Sequence, residues 1–422
     1  MFYDVIVVGG GPSGLVAGAT AARLGASVLL LERMPEVGTK LRITGKGRCN
    51  ITNARPVAEY RSMLHGNVDL AMQALERFSN QDIITLLHQE GVATVVERGE
   101  RVYPVSGRAS DVAKALARYA TRNGVEIRFQ SEVERIEKEG DSWSVYAGER
   151  YDAACVILAC GGKSYPITGS DGAGYRLAEG VGHSTSELFP SLVGFFVNTD
   201  WGVRERFLVK NVGLTLYCAG KETLVQTPVD IELCDDWVGG PGVLRLSRRA
   251  VETLRKDEAA EMVIDFKPAL SLEKLLARFK RDILARTHEP LLSLARAWMP
   301  AELLKPILRR ARLSPQIKAH SLKENELTAL AQTLKAFRLQ LCAAEGWERA
   351  VVTAGGIESL EVDPKTLGSR LQQGLFFCGE MLDIDGNTGG FNLQLAYSTG
   401  FVAGKAAVEY CNNSIRKCPT FN

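Results

Sequence analysis

The chain has little with which to hold a metal ion. Histidine occurs only five times in 422 residues, and none of the nine cysteines has a partner at Cys-x-x-Cys spacing. Those cysteines, Cys49, Cys155, Cys160, Cys218, Cys234, Cys342, Cys378, Cys411 and Cys418, are odd in number and widely spread, which argues against a disulfide framework and for a reducing, cytoplasmic setting. No segment reaches the roughly 20 apolar residues that a membrane span needs, and the longest run, "AACVILAC", is strand length. A secretory leader is not expected either, because the opening "MFYDVIVVGGG" lacks a basic flank and runs directly into a glycine turn. Nor does charge of one sign dominate: 51 Lys and Arg stand against 49 Asp and Glu. At this length, with 45% hydrophobic and 24% charged residues, the chain can bury a large core and divide into two or three domains.

What is present begins with "DVIVVGGGPSGLVAGATAARLGASVLLLER". It reads as a buried strand, a glycine turn, a helix rich in alanine and a second strand ending in Glu32, with Gly9, Gly11 and Gly14 at G-x-G-x-x-G spacing. Gly9 permits the turn, Gly11 lets the backbone approach a pyrophosphate, and Gly14 lets helix and strand pack closely. Glu32 can accept hydrogen bonds from an adenosine ribose, and the positive helix end at Pro12 and Ser13 faces phosphate. The bland alternative is a glycine turn that only connects two elements.

Two later segments favour FAD over NAD. "YDAACVILACGG" (151 to 162) is a hydrophobic strand ending in small residues, Cys160 and Gly161 among them, which suits close passage beside a dinucleotide. "GLFFCGEMLDIDGNTGGFNLQLAYSTGFVAG" (374 to 404) is a strand, a Gly-Glu turn, a glycine loop and an apolar helix. Its candidate contacts are Gly379, Glu380, Asp383, Gly389, Gly390, Phe391, Asn392 and Leu393, and the helix start would aim backbone N–H groups at the flavin ring. No second G-x-G-x-x-G follows a strand, so no separate NAD(P)H domain is expected. Alternating short strands are predicted over roughly 191 to 265, and helical periodicity from about 268.

Further motifs, "TGKGRCNITN", "RVYPVSGRASDV", "GGKSYPITGSDGAGYRLAEGVGH", "VTAGGIESLEVDPKTLGSRL" and "GEMLDIDGNTGGFNLQLAYSTG", span nearly the whole chain. In these segments the sequence resembles the BaiN/YhiN-like, or aminoacetone-oxidase-type, FAD enzymes. The resemblance implies an α/β fold: a Rossmann-like FAD domain of the three-layer ββα type (1–190 and 350–422), an inserted β-barrel (191–265 and 336–349) and a small basic helical insertion (266–335). It implies non-covalent FAD, with Arg33, Lys40, Thr44, Gly45, Arg48, Cys49, Asn50 and Val133 added to its neighbours, and NAD(P)H as a transient electron donor.

Chemically it implies an FAD-dependent oxidoreductase, first a reductase that delivers hydride to a C=C bond conjugated with a carbonyl. Family substrates include bile-acid enones, uridine in ribosomal RNA and a small amino ketone. An oxygen-using amine or amino-ketone oxidase and a flavin-binding protein without turnover are the alternatives. Polarising a carbonyl and protonating a carbon need donors, for which Cys49, Tyr103, Lys163 and Tyr165 are candidates on these motifs, each with flavin contact or packing as its plainer role. Cys49 itself could be a packed thiol, a redox or proton-donating thiol, or, least in keeping with its surroundings, a metal ligand.

One segment departs from the family. Where relatives carry a pattern like "FTHxGxSGPAIL", this chain reads "LCDDWVGGPGVLRLS", placing Asp235, Asp236 and Trp237 at a possible substrate-lining position. The insertion adds a second feature, twelve Lys or Arg against four acids from Phe266 to His320. Arg309, Arg310 and Arg312 there are candidate RNA contacts; a solvated helix face or a site for acidic small molecules would explain them as well. No dedicated protein partner is evident.

Overall fold

The computed structural model describes residues 1–199, 201–202 and 204–415. These form two compact units, Met1–Pro190 with Trp347–Asn422, and Ser191–Gly346.

The first unit is built on a parallel sheet. The strand Phe2–Val8 lies between Val28–Leu31 and Glu149–Leu158, with Val125–Arg128 and Leu375–Phe377 outside them, all parallel. "VIVV", "VLLL" and "LFF" are uninterrupted apolar runs, as strands covered on both faces require. The first half of Glu149–Leu158 also pairs with Ser142–Ala147, which turns back on Arg135–Glu139 in an antiparallel hairpin. Two helices pack together against this sheet, Pro12–Arg23 and the closing helix Phe391–Ile415. Gly400 and Gly404, one turn apart on the closing helix, make the contact close: a Cβ at either would stand 2.3 Å from the Ser13 or Ala17 carbonyl oxygen.

The second unit holds a closed barrel of six strands, Phe195–Val197, Trp237–Gly239, Lys221–Cys234, Phe207–Cys218, Ala260–Asp265 and Phe337–Ala344 in that order around the ring. Alternation along Ala260–Asp265 sends Ala260, Met262 and Ile264 inward, where they join Leu214, Leu216, Ile231 and Leu339. The strand expectation for 191 to 265 is wrong in one place: Pro241–Leu254 is a helix. Val243, Leu246, Ala250 and Val251 are its buried residues, a helical period that its short strand neighbours mask in sequence. The barrel and the helices Leu272–Ala285, Leu291–Ala295, Ala301–Arg310 and Glu324–Lys335 share this unit. Phe279 stacks on Trp298 at 4.0 Å among these helices, and the Trp298 indole N–H donates to Asp282 at 2.9 Å. No helix among the described residues is long and apolar enough to cross a membrane.

Candidate active site

The three glycines of the first turn do different work. Gly9 has φ +106°, and a Cβ there would lie 2.6 Å from the Ala159 carbonyl oxygen, so the turn runs against the end of the neighbouring strand. At Gly14 a Cβ would come within 1.9 Å of the Gly9 oxygen, which leaves no room for a side chain between helix and turn. A Cβ at Gly11 would meet nothing within 4 Å. It faces open space at the start of the helix Pro12–Arg23, whose first intrahelical bond runs from Leu15 N–H to the Gly11 carbonyl at 2.9 Å. The first-turn amides of Ser13 and Gly14 precede that bond and are placed for an anion.

Glu32 is 8% exposed and spans this turn, accepting from Gly10 N–H and Met34 N–H at 2.7 Å each. Burial pushes its carboxyl up, partly offset by those two donors. Glu32 therefore braces the glycine turn as well as offering lone pairs to a ribose. Its neighbour Arg33 ties Asp171 (2.8 Å) and Glu132 (3.3 Å) together, bringing the Val133 segment beside the Gly169–Asp171 loop. Gly161 (φ +76°) faces Ser170, whose buried hydroxyl has no hydrogen-bond partner, and Cys160 donates to the Val8 carbonyl at 3.5 Å.

Four separated segments meet at Glu380. Its Oε2 accepts from Lys40 Nζ at 2.7 Å; its Oε1 accepts from the Ser164 hydroxyl at 2.8 Å and Thr353 N–H at 2.7 Å. Lys40 also donates to Ser164 at 2.6 Å. Burial alone would push the Glu380 carboxyl up, yet Lys40 with Thr353 and Ser164 holds it below the ordinary carboxylate range. Sequence reasoning named Lys40 and Glu380 but missed Ser164 and Thr353, although both lie in quoted motifs; nothing local marks a serine or threonine as a partner for a distant acid. Asn50 and Asn392 are likewise occupied by protein. The Asn50 amide accepts from Gly390 N–H at 3.0 Å and donates to the Thr52 carbonyl at 3.1 Å, while Asn392 accepts from Gly386 N–H at 2.8 Å. Both shape the glycine loop that contains Gly389 and Gly390. Phe391 is buried edge-on against Tyr60 at 4.9 Å, Leu393 is half-buried, and the Asp383 carbonyl accepts from Asn67 N–H at 2.8 Å.

The catalytic candidates fall in two places. A Cβ at Gly45 would stand 3.7 Å from the Tyr103 ring, and the Arg48 guanidinium sits 4.3 Å above that ring while pairing with Glu97. Lys163 crosses Gly172 to place its ammonium 5.0 Å from the Trp347 ring, and Tyr165 (φ +53°) donates its N–H to the Trp347 carbonyl at 3.0 Å. Cys49 is fully buried at φ +60°, with its N–H on the Thr44 carbonyl at 3.0 Å.

Compared with known proteins, residues 3–406 match the family described as "HI0933-like protein Rossmann domain". The chain belongs to the HI0933-like family. A 3-dehydro-bile acid delta(4,6)-reductase of Clostridium scindens is 31% identical, over 96% of this chain and 98% of its own. A ribosomal RNA dihydrouridine synthase of Escherichia coli is 26% identical, over 94% and 96% respectively. Among solved structures, a 3-ketosteroid-Δ4-(5α)-dehydrogenase from Rhodococcus jostii shares the fold with a TM-score of 0.52 at 17% identity, covering 96% of this chain and 97% of that one. The HI0933-like chain is an FAD-dependent oxidoreductase, and its residues fit the cofactor: open space before Gly11, free helix amides, a buried acid for a ribose and an unpartnered Ser170 hydroxyl are what a dinucleotide would fill.

For Cys49 the surroundings favour packing. Burial pushes its thiol up to about 12, with a smaller opposing effect of a Thr44 hydrogen bond, so it stays protonated at any working pH. The native protein should resist thiol alkylation at Cys49 up to about pH 10, and Cys49→Ser should retain FAD and turn over near the wild-type rate. A rate loss of a hundredfold or more, the scale of general acid catalysis, would make Cys49 a proton donor instead.

In the divergent barrel segment, the exposed Asp235 and Asp236 lend their carbonyls to Trp201 N–H (2.7 Å) and Val197 N–H (2.6 Å). Trp237 is buried over Gly194 and Gly239 beneath the Arg206 guanidinium, 3.9 Å from the ring. Arg309, Arg310 and Arg312 are exposed, and among the described residues none forms an ion pair; Arg310 lies over Phe337 at 5.7 Å. By contrast Arg278, Arg281 and Arg286 are matched by Asp282 and Glu289.

Proposed function

We propose that this HI0933-like protein reduces a carbon–carbon double bond conjugated to a carbonyl in an apolar, ring-bearing acid, with NAD(P)H as the source of electrons. Bound flavin would supply hydride to the alkene carbon. The chain itself must hold the carbonyl and deliver a proton. Tyr103 carries this reading. It is half-buried beside Gly45 of the loop that resembles a flavin contact, and the Arg48 guanidinium stacked on its ring holds in place a phenol whose O–H can donate to a carbonyl. Two relatives support the reaction class, since a delta(4,6)-reductase and a dihydrouridine synthase both saturate a double bond next to a carbonyl. Anaerobically reduced protein mixed with a 3-oxo-4,6-diene steroid acid should be reoxidised at least about a hundredfold faster than by the saturated acid, a barrier difference of about 2.7 kcal/mol. Fastest reoxidation by dioxygen would favour an amine or amino-ketone oxidase, and no reoxidation by any of these a binding protein.

A second reading, uridine in RNA, has one observation in its favour: Arg309, Arg310 and Arg312 are exposed and, among the described residues, form no ion pair, although Arg310 donates to the Arg338 carbonyl at 3.4 Å. If RNA is the substrate, replacing the three with Gln should leave flavin reduction unchanged and weaken RNA binding, and wild-type binding should fall with salt at a log-log slope of about 0.7 to 0.9 per phosphate contact. Salt-independent turnover would return these arginines to an ordinary solvated surface, Arg309 and Arg310 at the end of the helix Ala301–Arg310 and Arg312 just past it.

A further inference from the structure

Two thiols that the cofactor site does not use face each other in the core of the first unit. Cys155, on the strand Glu149–Leu158, is fully buried, and Cys411, on the closing helix, is 4% exposed. Their sulfurs lie 3.3 Å apart although the residues are 256 positions apart in sequence. Backbone acceptors hold each one: Cys155 reaches the Ala407 carbonyl at 3.6 Å and Cys411 the Asp4 carbonyl at 3.5 Å. We propose that Cys155 and Cys411 form a modification site at which a peroxide closes a disulfide, fastening the closing helix to the strand Glu149–Leu158.

The geometry is already close to that of the product. The sulfurs need approach by only about 1.2 Å to reach the bonding distance of about 2.05 Å, a shift within reach of side-chain rotation and a small slide of the helix. Cys155 pairs in register with Val5, four residues before Gly9, so the bond would form roughly 13 Å along the strand from the glycine turn.

Cys411, 4% exposed against 0% for Cys155, is the sulfur that peroxide meets first. The Cys411 thiolate attacks hydrogen peroxide, the O–O bond breaks, and the departing hydroxide takes the thiol proton to become water. Cys155 sulfur then attacks the sulfenic sulfur, the S–O bond breaks, and a second water leaves with the remaining proton. Two thiols lose two electrons and two protons, and one peroxide becomes two waters.

The test uses the full, FAD-loaded chain. After brief exposure to hydrogen peroxide it is denatured in alkylating agent, digested without reductant and weighed. The expected product is one peptide pair joining Cys155 to Cys411, two hydrogens lighter than the separate peptides and released by reductant. Because the bond closes a very long loop, the melting temperature should rise by about 4 °C or more. Cys411→Ser and, as a second variant that also tests folding, Cys155→Ala should melt near the reduced wild type and show neither the pair nor the rise. The exposed Cys342→Ser should show both. Full alkylation of Cys155 and Cys411 after peroxide would overturn the proposal, as would a bond to any other cysteine or an undiminished rise in Cys411→Ser.

Discussion

Gly11→Leu should yield a folded, colourless protein, whereas Gly14→Val should not fold stably at all. The two glycines stand three residues apart in one motif, yet the space around them differs completely. A Cβ at Gly11 enters a void in front of the helix amides and meets no protein atom within 4 Å, so the fold has little reason to resist a side chain there. That void is where a pyrophosphate must come, and filling it should lower FAD affinity by at least about a hundredfold, or about 2.7 kcal/mol. At Gly14 a Cβ would meet the Gly9 oxygen at 1.9 Å, and the helix has little freedom to give way because the backbones of Gly400 and Gly404 lie tight against its Ser13 and Ala17 carbonyls. Overpacking against backbone costs about 3 kcal/mol or more, a large part of the roughly 5 to 15 kcal/mol that holds a domain. Circular dichroism and retained flavin separate the two outcomes. A yellow Gly11→Leu protein would mean that the cofactor lies elsewhere.

The second large effect is expected at the Lys40–Glu380 pair. Both side chains are about four-fifths buried, and each is bonded to the Ser164 hydroxyl as well as to the other. Lys40→Met leaves the acid with neutral donors only and should cost about 3 kcal/mol, the low end for breaking a buried pair, with a parallel loss of FAD. Lys40→Met with Glu380→Gln should cost clearly less than the two single changes added together, because the double variant buries no unmatched charge. The pH dependence has a definite sign. Since the folded-state pKa of Glu380 lies below its ordinary value, the pair's contribution is present above about pH 4.5 and fades as pH falls through the folded value. Urea titrations of the four proteins at neutral and acid pH check this, and strictly additive losses at neutral pH would contradict the coupling.

Much of this site is legible in sequence because its parts are local. Gly9, Gly11, Gly14 and Glu32 lie within one strand-turn-helix-strand unit, where spacing fixes geometry. The roles of Glu380, Asn50 and Asn392 were less legible, because their partners Lys40, Ser164, Thr353, Gly390 and Gly386 come together mainly through long-range folding. A sequence shows that an acid is present; it does not show that both its oxygens are already taken. The helix Pro241–Leu254 was lost for a different reason, since its apolar period of 3.6 begins directly after a barrel strand and is short enough to be read as strand and turn. The pairing of Cys155 with Cys411 had no local signal of any kind.

The measurement closest to the centre of this account is the identity and attachment of whatever the purified chain carries. Heat denaturation followed by mass spectrometry of the supernatant should release one FAD per chain, with no flavin left on the precipitated protein. Release of NAD in its place, or a flavin that stays bound to the denatured polypeptide, would contradict the site built here around Gly11, Glu32 and the helix that begins at Phe391.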